Sequence, residues 1–146
     1  MNRPLQTAIA CLNDFLHECV ASAPVEQADR LREARALFDE TSAIFPGLSE
    51  NLPGQAEFER LLASAAYESA AISLLGPATS FMLSRGGNGT CLATMTLAEV
   101  DEDVTAEGST LALALLAARV SALLSTILAA VPRTDTIAPS ASMRLN

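Results

Sequence analysis

The first half of the chain carries apolar residues at intervals of three and four. Such spacing predicts amphipathic helices. The first stripe, over about residues 4 to 22, consists of Leu5, Ile9, Leu12, Phe15, Leu16, Cys19 and Val20. The second begins after Pro24, ends before Pro46-Gly47, and consists of Val25, Ala28, Leu31, Ala34, Leu37 or Phe38, and Phe45. Residues 1–45 are therefore expected to form an N-terminal helical hairpin.

A third helix is predicted after a loop that contains two Pro-Gly steps, at 46–47 and 53–54. It covers about residues 55 to 75 and ends at Gly76-Pro77. Its expected buried side consists of Phe58, Leu61, Leu62, Ala65, Ala66, Ser69 and Ile72.

Beyond residue 77 the pattern changes to alternation, which is typical of strands. Two alternating runs, 80–84 and 90–97, flank Gly86-Gly87-Asn88-Gly89, where Asn88-Gly89 can supply the positive φ angles of a tight hairpin turn. A third extended segment, 99–107, is predicted as an outer strand. One of its faces carries Glu99, Asp101, Asp103, Thr105 and Glu107.

The last predicted element is a long apolar helix. Gly108 ends the third strand, Ser109 or Thr110 caps the helix, and the apolar run continues to Val131 before Pro132. The expected class is α+β and helix-rich. Residues 55–131 are expected to form an α-β-β-α sandwich-like core with a possible third strand, and residues 132–146 are expected to form a flexible tail. We expect one folded unit.

The stretch from Leu111 to Val131 is long enough to span a bilayer. Arg119 would then lie near the membrane centre, at a cost of about 2.5–3.5 kcal/mol. A buried helix in a soluble core explains the same pattern, with the Arg119 head reaching water from one edge. We therefore expect a cytoplasmic protein without a membrane span.

The charge balance limits the classes of partner that the chain is expected to bind. The chain has 17 acidic residues against 9 basic ones, a formal charge of −8, and every basic residue is arginine. An acidic surface repels the phosphates of nucleic acid, so direct nucleic-acid binding is disfavoured. The same charge speeds the approach of a protein with a basic surface.

Candidate chemistry is sparse. Cys11, Cys19 and Cys91 form no CxxC pair, and the single histidine, His17, cannot share one helix face with Cys11 and Cys19 in a metal site. The glycine-rich turn lacks the Lys and Ser/Thr ending of a phosphate-binding loop. These observations predict no enzyme, no metal and no cofactor.

The acidic ladder on the third strand resembles the start of a calcium loop. Ala106 stands where that loop requires glycine, and no glutamate closes it at the twelfth position. The face is expected to be either solvated or an acidic contact surface. The candidate partner-binding residues are Glu99, Asp101, Asp103 and Glu107.

Three segments carry a family resemblance. They are Ser69-Ala70-Ala71-Ile72-Ser73-Leu74-Leu75-Gly76-Pro77, Gly86-Gly87-Asn88-Gly89, and Thr105-Ala106-Glu107-Gly108-Ser109-Thr110-Leu111-Ala112-Leu113-Ala114-Leu115. Over about residues 57 to 131 the chain resembles the small α-β-α sandwich domain of phage and prophage genes. It differs in having Leu111 in place of a proline, Ser69 in place of an aspartate, and no tryptophan in the first strand. The resemblance implies an architecture and a mobile-element origin, and it implies no catalytic residue.

Together these features favour a non-enzymatic, acidic protein-binding factor, such as a phage-type inhibitor or adaptor that occludes a host or defence protein. Two alternatives stay open: an acidic secretion chaperone and a small enzyme. A homodimer is also expected, because apolar helix surface exceeds what a small sheet can cover. Its predicted interface is the first helix, through Leu5, Ile9, Leu12 and Leu16, since Glu99, Asp101 and Asp103 oppose strand-edge pairing.

Overall fold

The computed structural model of the chain describes residues 3–45, 48, 51–76, 79–97 and 102–130. In chain order its elements are α1 (Arg3–Ala21), a 3₁₀ turn (Pro24–Glu26), α2 (Gln27–Thr41), α3 (Gln55–Ala63), α4 (Tyr67–Ser73), β1 (Ser80–Arg85), β2 (Cys91–Leu97), β3 (Glu102–Gly108) and α5 (Leu111–Ala130). The predicted helix-rich α+β class is confirmed, including the hairpin, the third strand and the long last helix. The predicted tail and the start of the predicted third strand lie outside the described residues.

Helix α5 is the centre of the hydrophobic core. More than half of its residues are buried, and α1, α4 and the sheet pack against it. The Leu113 N–H donates to Thr110 Oγ1 at 3.1 Å, so Thr110 is the predicted cap. The N-terminal helices share one core cluster with α5 and the sheet.

By length and composition α5 is the one helix of the described ranges that could cross a membrane, with a mean hydropathy of 2.1. In the fold, 67% of its most apolar window is buried against the other elements. A core helix of a soluble protein and a membrane span both pass this test, so the expected cytoplasmic location stays a prediction.

The sheet is antiparallel in the order β1-β2-β3. Its register places Met82 opposite Thr94, and Thr94 opposite Thr105. The inner face of β2, formed by Cys91, Ala93, Met95 and Leu97, is buried against α5. Within the described ranges, the outer-face side chains of all three strands are exposed or half-buried.

The β1–β2 turn differs from the predicted tight turn. Only Gly89 has a positive φ, +88°, whereas Asn88 does not. The Gly86 N–H donates to the Thr90 carbonyl at 2.8 Å, and the Gly89 N–H donates to the Gly86 carbonyl at 3.0 Å. This is a type I turn followed by a glycine bulge, which requires one left-handed residue rather than two.

Gly108 ends β3 for a steric reason. A Cβ there would lie 2.7 Å from the Ala114 nitrogen and 3.0 Å from the Leu113 carbonyl carbon. These are backbone atoms of α5 and cannot move aside cheaply. The absence of a side chain at Gly108 therefore allows β3 to approach the first turn of α5 closely.

The prediction of one helix over 55–75 is wrong, because the segment forms α3 and α4 with a break between them. Ala65 lies in the break with a φ of +60°. The break resets the helical phase, so α4 buries Ala70 and Ala71, whereas Ser69 is exposed and Ile72 is 41% exposed. Alanines lie on both sides of the break between α3 and α4. Because alanine suits buried and exposed positions alike, the spacing of apolar residues did not show that the helical phase changes there.

The second predicted helix begins later than expected. Pro24 opens a 3₁₀ turn, α2 starts at Gln27, and Val25 is 88% exposed rather than buried. The predicted stripe is confirmed further along at Leu31, Ala34 and Phe38, which are buried.

Candidate functional site

A concave surface lies between α1 and β3, beside the sheet face that the described helices leave uncovered. We call it the β3 groove. Its volume is about 350 Å³, and it is lined by Leu16, His17, Val20, Leu92, Thr105, Ala106, Glu107 and Ser121. A second concavity of about 320 Å³ shares Val20 and Glu107 with it and extends to the hairpin turn at Asn88, Gly89 and Thr90.

Side-chain hydrogen bonds hold the α1 wall of the groove in place. Ser109, just before α5, donates its hydroxyl to the Ser22 carbonyl at 2.8 Å. The Ser22 hydroxyl donates to the Glu18 carbonyl at 2.6 Å and accepts from Arg30 Nε at 3.1 Å. The end of α1 is thus tied both to α2 and to the β3–α5 junction.

The groove combines apolar walls with charge at the rim. Val20 is 41% exposed and Leu92 is 39% exposed, and because both line the groove they form one exposed apolar patch. Glu107 and His17 are exposed. The Thr105 and Thr94 hydroxyls lie 3.0 Å apart and pair across the two strands. The arrangement suits an apolar side chain of a partner accompanied by a cationic group.

The predicted acidic face is only partly described. Asp103 and Glu107 are exposed on the outer face of β3, and Glu107 lines the groove. Glu99 and Asp101 lie outside the described residues.

Spacing did not identify the apolar half of the groove. Leu16 and Val20 belonged to the predicted apolar stripe of the first helix, and Leu92 to a predicted strand for which no buried face was assigned. The available signal was the width of the α1 stripe: Cys19 and Val20 are adjacent, so both cannot face one core. Cys19 is fully buried, which leaves Val20 turned toward the groove.

The predicted dimer residues on α1 pack within one chain. Leu12 is fully buried, and Leu5, Ile9 and Leu16 are half-buried against the core cluster. Packing of α1 on α5 accounts for this stripe. A helical dimer through these residues therefore has little exposed apolar area to use, and self-association stays a prediction.

The three cysteines are free thiols in different settings. Cys11 is exposed, whereas Cys19 and Cys91 are buried. Burial raises the pKa of the Cys19 thiol to about 12, with Arg30 acting in the opposite direction. Cys19 is therefore a neutral core residue at physiological pH. Among the described residues, no group of three His, Cys, Asp or Glu side chains is arranged to hold a metal ion.

A separate groove of about 340 Å³, distinct from both concavities at β3, lies between α1 and α2. It is lined by Cys11, Asp14, Phe15, Glu18, Glu33, Ala36, Leu37 and Glu40. Arg30 forms ion pairs with both Glu18 and Glu33. These pairs offset only part of the negative charge around this groove, so charge alone does not favour the β3 groove. The β3 groove is the better candidate because it exposes Val20 and Leu92 beside Glu107, whereas Phe15 is buried and Leu37 is half-buried in the α1–α2 groove.

Comparison with known proteins returned no match: no family model, no curated protein and no solved structure is similar to this chain. The likeness to phage α-β-α sandwich domains accordingly stays a prediction from the sequence.

Proposed function

We propose that the chain is a non-enzymatic protein-binding factor that receives a basic partner in the β3 groove. One observation carries the proposal: Val20 of α1 and Leu92 of β2 expose apolar surface around one groove, beside the carboxylate of Glu107 on the sheet face that the described helices leave uncovered. Apolar surface exposed beside a charged rim is typical of protein-interaction sites.

Two physical effects would supply affinity. Burying the exposed parts of Val20 and Leu92 contributes about 25 cal/mol for each Å² removed from water. An arginine or lysine of the partner would pair with Glu107 at the rim. The formal charge of −8 would speed the encounter with a basic partner and make the association rate fall as salt is added.

The resemblance to phage domains supplies the biological setting of the proposal. In that setting the chain is a cytoplasmic, prophage-encoded inhibitor or adaptor that occludes a host or defence protein. The sandwich-like second half presents the groove, and the N-terminal helices supply its α1 wall.

The test begins with capture of partners from a lysate of the bacterial host, followed by titration calorimetry with the purified partner. Glu107→Lys reverses the rim charge and Val20→Asp removes the apolar wall. Each is expected to weaken binding by roughly tenfold or more. Glu57→Lys is the matched control, because it makes the same charge reversal at an exposed glutamate on α3.

The proposal requires that Glu57→Lys bind as wild type does while the two groove variants do not. Failure to recover any stoichiometric protein partner, together with turnover of a small substrate, would reject it. Equal affinity of the wild type and both groove variants would place the partner elsewhere on the chain. A captured partner that is an unfolded, secreted substrate would assign the chaperone alternative instead.

A further inference from the structure

The two edges of the sheet differ in charge. The β3 edge contacts α1 and carries Asp103 and Glu107. On the β1 side, the sequence from residue 69 to residue 98 contains no acidic side chain and one basic one, Arg85. The objection that carboxylates oppose edge-to-edge pairing therefore applies to β3 and not to β1.

The main-chain groups of β1 that point away from β2 can be identified. Gly86 and Thr90, the next pair in the register after Arg85 and Cys91, are joined by a hydrogen bond of 2.8 Å. Bonded and non-bonded pairs alternate along an antiparallel ladder. The N–H and C=O groups of Phe81, Leu83 and Arg85 therefore face the edge of the sheet that no described strand pairs with.

The side chains of β1 match a second copy of themselves. In a twofold pairing centred on Met82, each Phe81 lies opposite Leu83 of the other copy, and both residues present outward main-chain groups. Phe81 and Leu83 are half-buried at the margin of the core, so their pairing would extend the apolar inner face. Met82, which is 73% exposed on the outer face, would meet its own counterpart.

We propose that β1 pairs antiparallel with β1 of a second copy of this chain, joining two three-stranded sheets into one of six strands. A basic peptide is the less suitable occupant, because β1 offers no carboxylate to attract it. In the paired form the charged β3 edges lie at the two far ends of the sheet, which keeps the β3 carboxylates of each copy away from the junction. Both β3 grooves stay open, so this proposal is independent of the proposed function.

The first test is molar mass by light scattering over a range of concentrations. Wild type is expected to approach twice 15.3 kDa as concentration rises. Met82→Asp places two carboxylates directly opposite each other and is expected to raise the dissociation constant roughly tenfold or more. Ile72→Asp, at a 41% exposed apolar residue on α4, is the control and keeps the wild-type mass.

A charge-swap experiment tests the register. At a protein concentration at which wild type is just fully dimeric, Met82→Lys alone is expected to be largely monomeric, as is Met82→Asp, and an equimolar mixture of the two variants is expected to form a mixed dimer. Circular dichroism checks that each variant is folded. A wild type that stays monomeric, a dimer that persists in Met82→Asp, or a mixture that stays monomeric would each overturn the proposal.

Disulfide trapping provides a second measurement that does not depend on destabilising the dimer. In a Cys11→Ser background, Met82→Cys places two thiols across the twofold axis and is expected to cross-link under mild oxidation. Ser80→Cys is the control, because its partner in this register is Ser84. Cross-linking of Ser80→Cys in place of Met82→Cys would contradict the pairing.

Discussion

The two edge strands of the sheet, β1 and β3, flank the same central strand, β2, but have different surroundings. β3 is fastened on two sides, by α5 at the Gly108 contact and by α1 through the Ser109–Ser22 hydrogen bond. β1 packs less closely: its inner residues Phe81 and Leu83 are only half-buried. The difference indicates that a fixed edge with charge suits a groove for a different protein, whereas an open edge without carboxylates suits pairing with itself.

The largest loss of stability is expected from a substitution where β3 closely contacts α5. Gly108→Ala is expected to lower the free energy of unfolding by about 3 kcal/mol, because the added Cβ would overlap backbone atoms of α5. Gly87→Ala is the control, since nothing lies within 4 Å of its Cβ position. Urea denaturation measures both. Equal stability of the two variants would mean that β3 is no more tightly packed than the hairpin turn.

The pKa of Cys19 predicts a loss of stability in alkali on the α1 side. The thiol titrates near 9 when unfolded and at about 12 when folded. The unfolded state therefore loses its proton first, and stability falls as pH rises from about 9 to 12, by up to about 1.4 kcal/mol per pH unit. Cys19→Ala is expected to flatten this slope in pH-dependent denaturation. An unchanged dependence of stability on pH in Cys19→Ala would contradict burial of the Cys19 thiol on the inner side of α1.

A substitution in the β1–β2 turn tests how the β1 side of the sheet is stabilised. Gly89→Val is expected to destabilise the fold by on the order of 1 kcal/mol, because a β-branched residue resists the φ of +88°. The cost comes from the backbone alone, since space around the Cβ position is open. Gly87→Val serves as control. If thermal denaturation gives the same midpoint for Gly89→Val and wild type, the bulged turn is wrongly assigned.

The smallest loss of stability is expected from a substitution that loosens the α1 wall of the β3 groove. Ser109→Ala removes the hydrogen bond to the Ser22 carbonyl and is expected to cost about 1 kcal/mol or less. Because this bond positions the end of α1, hydrogen exchange should quicken in the last turn of α1 and stay unchanged in β1. Faster exchange in β1 instead would show that the two edges are coupled.

The sequence predicted the class of the fold well because its signals were local. Helical stripes located α1, α2 and α5, and alternation around the glycine-rich turn located β1 and β2. The break at Ala65 could not be predicted, since alanines at 63, 65 and 66 permit either helical phase. The acidic half of the groove was visible at Glu107, whereas the apolar half depends on how α1 is rotated against β3, which is a tertiary property.

Hydrogen exchange of single amides, in dilute and in concentrated protein, tests whether the two edges of the sheet have different roles. The amides of Phe81, Leu83 and Arg85 are expected to gain protection as concentration rises, while those along β3 are expected not to change. Protection that appears along β3, or at neither edge, would contradict this difference in roles.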